Sequence, residues 1–101
     1  MKVTITVRHE NLDEASKSYA REKTEGLSHF FERITKINMI LDGKGAFQYV
    51  EIIASIPRGA TLVSHAKNKE VKSAIDEAVL KMEHQLSKLK SKIIDKHHGK
   101  K

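Results

Sequence analysis

The last third of the chain has the most regular spacing of apolar residues in the sequence, and this feature constrains the fold most. From residue 71 onward apolar side chains recur at steps of four and three, at Val71, Ile75, Ala78, Met82, Leu86, Leu89 and Ile93. This spacing is typical of one buried face of an α-helix. The stripe covers about six turns, whereas a mean globular helix has about three. We therefore expect a long helix, capped by Asn68, whose end projects beyond the sheet on which it packs.

Four shorter segments instead alternate apolar and polar residues with a period of two. Their alternating sets are Val3, Ile5 and Val7; Ile37, Met39 and Leu41; Val50, Ile52, Ala54 and Ile56; and Leu62, Ser64 and Ala66. Each set predicts a strand with one buried face. Turn-like residues at 42–45 and 56–59 separate the last three strands. On the opposite face Tyr49, Ile53 and Val63 predict a modest apolar patch.

A first helix is predicted between the first two strands. Asn11 is a suitable N-cap, with Glu14 three residues later as in a capping box. The predicted apolar face, with the Lys23 methylenes lying along it, consists of Leu12, Ala15, Tyr19, Lys23, Leu27, Phe30 and Ile34. Gly26 weakens the helix, because glycine inside a helix costs about 1 kcal/mol relative to alanine.

The order of elements predicts an α+β fold, β-α-β-β-β-α, in one domain. Two helices would pack on one face of a four-stranded sheet, as in a double-stranded RNA-binding domain. The first helix would be a right-handed crossover, which makes the first two strands parallel if they are neighbours. A chain of 101 residues has room for one core. We assign residues 1–95 to this domain and residues 96–101 to a flexible basic tail.

The positive charge is concentrated at one end of the chain. Residues 1–60 contain nine Lys or Arg against eight Asp or Glu, whereas residues 81–101 contain seven Lys against two acidic residues. On the last helix Lys81, His84, Lys88 and Lys92 follow one another at helical spacing, and Lys90 lies on the other flank. Such a ridge can follow a phosphate backbone without reading its sequence. The alternative is a solvated face that keeps a long helix soluble.

Nothing in the sequence predicts catalysis. The chain has no cysteine, no glycine-rich phosphate loop, no His-Glu-x-x-His and no Gly-x-Ser-x-Gly. His97 and His98 are adjacent and lack further ligands, so we expect no metal site. We expect no cofactor, no small-molecule substrate, no signal peptide and no membrane segment, and a cytoplasmic protein.

The order of elements and several local strings resemble the ribosome hibernation promoting factors, also called ribosome-associated inhibitors or sigma-54 modulation proteins. The initial strand Val3-Thr4-Ile5-Thr6 and the segment Phe30-Phe31-Glu32-Arg33-Ile34 are of the family's type. The strongest similarity lies in Val71-Lys72-Ser73-Ala74-Ile75-Asp76 and in residues 81–92, where the family reads Asp-Met-Tyr-x-Ala-Ile-Asp and then Lys-Leu-x-Arg-Gln-Leu-x-Lys. Three positions depart from the family pattern: Gly26 replaces a common lysine, His84 a common arginine, and Glu70-Val71-Lys72 the Asp-Met-Tyr.

The resemblance implies a ribosome-binding protein. Family members occupy the channel for messenger and transfer RNA on the small subunit, contact its 16S ribosomal RNA through basic residues of both helices, and inhibit translation in stationary phase or stress. Carried onto this sequence, the implied RNA-binding residues are Lys23, Lys81, His84, Lys88, Lys90 and Lys92. The chain resembles the short form, which implies a monomer off the ribosome that promotes paired, inactive ribosomes together with a separate modulation factor.

Two other functions remain open from the sequence. One is a general binder of double-stranded RNA, because the last strands and helix are similar to that fold. The other is a protein-protein regulator of a transcription factor, which the family's older name implies.

Overall fold

Six elements follow one another in the predicted order. A computed structural model describes residues 2–8, 12–57 and 60–98, without the side chains of residue 60 and of residues 92–98. The elements are β1 (Lys2–Val7), α1 (Glu14–Phe30), β2 (Lys36–Lys44), β3 (Phe47–Ile56), β4 (Ala60–Asn68) and α2 (Val71–His98). The β-α-β-β-β-α prediction is confirmed. The division between a domain and a tail at residue 96 stays a prediction, because residues 99–101 lie outside the described range.

The four strands form one sheet in the order β1-β2-β3-β4. β1 pairs with β2 in parallel, with Val3 opposite Ile37, and the other two pairs are antiparallel. A parallel pair cannot be joined by a tight turn, and here α1 supplies the longer connection. The predicted parallel arrangement of the first two strands is confirmed.

The turn between β2 and β3 is tighter than the predicted four-residue segment. β2 continues through Lys44, and Lys44 pairs directly with Phe47, so Gly45 and Ala46 alone form the connection. Gly45 has a φ of 61°, in the left-handed region that favours glycine. Two-residue hairpins require such a conformation, which explains why glycine stands there.

The core lies between one face of the sheet and the two helices. Its fully buried side chains come largely from the two central strands and from α2, namely Ile37, Met39, Leu41, Val50, Ile52, Ala54, Ala74, Ile75, Ala78, Met82 and Leu86. Val71 and Leu89 are partly buried against this cluster. The predicted stripe of α2 is therefore confirmed up to Leu89, and Ile93 lies outside the described side chains. On the other face Val63 is exposed and pairs with the half-buried Ile53, as predicted.

The buried face of α1 agrees with the predicted one only in part: Leu27 is buried, and Leu12 and Tyr19 pack against the core as predicted. The buried residues of this helix are Ser16, Ala20, Thr24 and Leu27. Ala15 is exposed, and Phe30 is 38% exposed. Thr24 is buried because its hydroxyl donates a 2.7 Å hydrogen bond to the Ala20 carbonyl within the helix, which satisfies the polar group. The helix is thus rotated so that small residues, and a threonine whose hydroxyl is hydrogen-bonded within the helix, face the sheet.

The start of α1 is capped by Asp13, and the predicted cap Asn11 lies outside the described residues. The Asp13 Oδ1 atom accepts a 3.0 Å hydrogen bond from the Ser16 backbone N–H. Hydrogen bonds from Ser16 hold the pKa of Asp13 below its usual value, and the positive charge of Lys72 adds a smaller effect in the same direction. The cap therefore works best when Asp13 is ionised.

The start of α2 is held by Asn68, although this residue lies two positions before the cap itself. Its Oδ1 atom accepts a hydrogen bond from the Glu70 N–H, and its Nδ2 atom donates to Glu77 Oε1. The Glu70 carbonyl accepts the first helical bond, from Ala74. A helix of 28 residues is about 42 Å long. The molecule measures 55 × 22 × 20 Å, which fits a helix that projects beyond the sheet.

Candidate nucleic-acid interface

Three of the predicted RNA-binding residues lie together on the flank of α2 that borders β4. Lys81, His84 and Lys88 follow one another at steps of three and four residues, and all three side chains are exposed. Residues at these steps share one side of a helix, about 4.5 to 6 Å apart along its axis. We call Lys81, His84 and Lys88 the α2 ridge. The side chain of Lys92, the predicted fourth member, lies outside the described residues.

The position of the α2 ridge relative to the sheet is set by two hydrogen bonds to β4. Lys81 Nζ donates to the His65 carbonyl at 2.9 Å, and Gln85 Nε2 donates to the Val63 carbonyl at 2.8 Å. β4 is an edge strand, whose outward carbonyls have no neighbouring strand to pair with. These side chains satisfy two of those carbonyls and hold α2 against the edge.

The cations of the α2 ridge are not neutralised by carboxylates in the part of the chain that the structure describes. In those residues the one ion pair is Lys17–Glu14, at 3.5 Å on α1. The bond between Lys81 and the His65 carbonyl uses one of the three donors of the ammonium group, so two donors stay available. The ridge therefore presents positive charge that can meet phosphates.

Lys23 and Lys90 lie away from the α2 ridge. Nine residues separate Lys81 from Lys90, which places Lys90 on the opposite flank of α2. Lys23 lies on α1, with its ammonium 5.3 Å from the centre of the Tyr19 ring. The predicted site residues therefore fall into two sets on different sides of α2.

The contact between the two helices adds a cation that the sequence analysis missed. Lys72 of α2 places its ammonium 5.5 Å from the Tyr19 ring, which thus has two lysines near it. The Tyr19 hydroxyl donates a 2.5 Å hydrogen bond to Asp76 Oδ1, and this bond raises the pKa of Tyr19 above its ordinary value. Lys72 and Lys90 are five turns apart and so share a flank of α2. That spacing is the signal that could have identified Lys72.

Comparison with known proteins connects this geometry to a family. The profile of the family described as "Sigma 54 modulation protein / S30EA ribosomal protein" matches residues 3–94. The chain belongs to the sigma 54 modulation protein / S30EA ribosomal protein family. Among its relatives, the ribosome hibernation promoting factor of Azotobacter vinelandii is 30% identical over 99 residues, which cover 98% of this chain and 92% of that protein. The factor of the same name from Pseudomonas putida KT2440 is 30% identical over 92 residues, covering 91% and 89%.

Solved structures agree with the family assignment at the level of the fold. A ribosomal subunit interface protein from Coxiella burnetii superposes with a TM-score of 0.76 at 22% identity, covering 90% of this chain and 99% of that one. The N-terminal domain of Protein Y from Thermus thermophilus gives 0.74 at 21% identity, covering 88% and 99%. The fold that this chain shares with these two structures thus extends over nearly the whole chain. Neither helix, in the part of the chain that the structure describes, contains an apolar stretch that could span a bilayer.

Proposed function

We propose that this S30EA family protein is a ribosome hibernation factor. It would bind the small ribosomal subunit in the channel for messenger and transfer RNA, contact 16S ribosomal RNA, and inhibit translation in stationary phase or stress. The observation that carries the proposal is the α2 ridge, a set of exposed cations held on one edge of the sheet in a chain of this family. The names of the curated relatives support the ribosome as the partner.

The proposed mechanism is occupancy and involves no catalysis. The ridge would meet phosphates and sugars of folded RNA, which fix the position of the domain without reading base sequence. The rigid sheet would then fill the space that translation substrates need. Lys23 and Lys90 would contact RNA on the other side of α2, so the RNA would surround the helix. A deep RNA cleft has the shape for such contacts, whereas a single regular duplex offers one surface.

Three further features belong to the same proposal. The protein would be a cytoplasmic monomer off the ribosome. It would favour paired, inactive ribosomes together with a separate modulation factor. The size of the ribosomal particles on a sucrose gradient, with and without added protein and factor, tests this last feature directly.

The main test is a pair of charge-reversal variants matched in net charge. Lys81→Glu with Lys88→Glu is expected to abolish cosedimentation with ribosomes, because it reverses two charges of the ridge. Arg33→Glu with Lys36→Glu changes the net charge equally at exposed positions outside α2 and should leave binding near the wild-type level. Circular dichroism spectra verify that both variants are folded. Equal binding by wild type and both variants would rule out the ridge as the site.

Competition separates the proposal from its two alternatives. A ribosome-specific factor should stay bound to ribosomes in the presence of excess plain duplex RNA, whereas a general double-stranded RNA binder should be displaced. A regulator that acts through protein contacts alone would bind ribosomes weakly or with little dependence on salt. If the protein instead neutralises phosphates of the RNA, its affinity should fall steeply as the salt concentration rises.

A further inference from the structure

The sheet face that points away from the helices contains a pocket of about 390 Å³ near the end of the β2–β3 hairpin. Strand register places its residues in adjacent rows across the sheet. Asp42 of β2 lies opposite Tyr49 of β3, and Tyr49 lies opposite Lys67 of β4. In the next row Glu51 lies opposite His65. Small-molecule pockets begin at about 300 Å³, so the volume of this pocket is compatible with a single nucleotide.

The lining combines an apolar, aromatic surface with a fixed cation. Tyr49 and His65 supply rings, and Ile40 adds an aliphatic surface between them and β1. The Lys67 ammonium lies 4.4 Å from the centre of the Phe47 ring and 5.8 Å from that of Tyr49. This cation–π contact holds the charge beside the exposed edge of the pocket. A flat base could stack on the rings while its phosphate meets Lys67.

The pocket is lined by charged side chains of both signs, which suits a nucleotide better than a simple anion. Arg8, Lys67 and Lys81 line it together with the carboxylates of Asp42 and Glu51. Ionised carboxylates only accept hydrogen bonds, so they repel phosphate and select groups with N–H donors. Guanine presents two adjacent donors, N1–H and N2–H, on one edge, whereas uracil presents a single N–H. The two carboxylates therefore favour guanine over uracil.

We propose that this pocket binds one unpaired guanine nucleotide of an RNA strand. Tyr49 would stack on the base, Glu51 or Asp42 would accept from its Watson–Crick edge, and Lys67 and Arg8 would meet the flanking phosphates. Lys81 borders the pocket and also begins the α2 ridge. Lys81 thus joins the ridge to the pocket around the edge of β4, so that one strand of several nucleotides could contact both. The pocket adds base selection to a domain whose ridge recognises phosphates alone.

The test measures binding of two pentanucleotides, UUGUU and UUUUU, to the isolated protein by NMR titration. Wild type is expected to prefer UUGUU and to show the largest shifts at β3 and β4. Loss of one base–aromatic stack weakens binding by roughly 5- to 150-fold. The affinity of Tyr49→Ala for UUGUU should therefore be lower than that of wild type by a factor in that range. Tyr49→Phe keeps the ring and should bind like wild type. Glu51→Gln should reduce the preference for guanine.

The outcomes distinguish this proposal from the proposed function. Lys88→Glu changes the ridge outside the pocket, so it should weaken ribosome binding and keep the preference for UUGUU. Equal affinity of wild type for both pentamers, or shifts confined to α2, would refute the pocket. Saturation by guanosine monophosphate with the affinity of UUGUU would refute an RNA strand as the occupant. A folded Tyr49→Ala variant that binds UUGUU as tightly as wild type would also refute the pocket as the binding site.

Discussion

Lys81 and Lys88 lie on the same ridge of α2, yet the structure gives them different roles, and this difference can be measured. The Lys81 ammonium donates to the carbonyl of His65 on the edge strand, whereas Lys88 makes no such bond to the described side chains or backbone. Replacing either lysine by methionine removes one charge and keeps most of the apolar stem. Lys81→Met should therefore lower stability and RNA affinity, whereas Lys88→Met should lower affinity alone.

The expected magnitude follows from the exposure of the bond. Loss of a hydrogen bond to a charged group costs about 1.5 to 3 kcal/mol. Lys81 is exposed, so water can replace part of that interaction, and we expect about 0.5 to 1 kcal/mol. In a domain of this size 1 kcal/mol shifts the melting temperature by about 4 to 8 °C. Lys81→Met should then melt about 2 to 8 °C lower, whereas Lys88→Met should stay within about 0.5 kcal/mol of wild type.

Two assays measure the two roles separately. Thermal unfolding followed by circular dichroism gives the stability of each variant. Ribosome binding at several salt concentrations gives the slope of log affinity against log salt, whose magnitude should fall by about 0.7 to 0.9 for each phosphate that is no longer neutralised. Equal melting temperatures for both variants would refute the role of Lys81 at the sheet edge. An unchanged salt slope for Lys88→Met would refute its interaction with RNA.

Three other changes test the packing and the polar contacts. Gly26→Ala should raise stability by about 1 kcal/mol in a urea titration, because Gly26 is helical and exposed and a Cβ there meets no atom within 4 Å. Met82→Ala should cost about 2 to 5 kcal/mol in the same titration, because Met82 is fully buried between α2 and the sheet. Asp76 raises the pKa of Tyr19 above 10.0, so their bond stabilises the fold below that pH and its contribution is lost as pH rises through the folded pKa. Between about pH 8 and about pH 11 the free energy of unfolding should therefore fall less for the Tyr19→Phe variant than for wild type.

The accuracy of the fold prediction varied with how directly each pattern reports burial. The stripe of α2 and the alternation in the strands consist of large apolar residues, whose position in a fold is decided mainly by the removal of their surface from water. In α1 the buried positions include Ser16 and Thr24, which a hydrophobic pattern cannot identify. Thr24 is tolerated in the core because its hydroxyl bonds to the Ala20 carbonyl, an interaction that an apolar stripe does not reveal. Sequence patterns therefore predicted the existence of α1 and the apolar part of its inner face, including Leu27, but not the polar residues that share that face.

The candidate site shows the same division between local and distant information. Helical spacing alone predicted that Lys81, His84 and Lys88 share a flank and that Lys90 lies on the other one. No local pattern links Tyr19 to Asp76, which are 57 residues apart, or Lys81 to His65 on β4. These pairs depend on how α2 packs against α1 and the sheet edge. A single sequence contains no direct signal for them.

The rotation of α2 couples the core of this protein to its proposed interface. Met82 and Leu86 are fully buried, and their neighbours Lys81 and Gln85 are about 100° away around the helix, where they reach the β4 edge. Packing and edge hydrogen bonds therefore specify the same rotation. A ridge held in this way needs little ordering of the backbone on binding, which lowers the entropic cost of association. The ridge itself cannot distinguish one folded RNA from another by sequence, so the shape of the bound cleft, together with any base held on the open sheet face, must supply the selectivity.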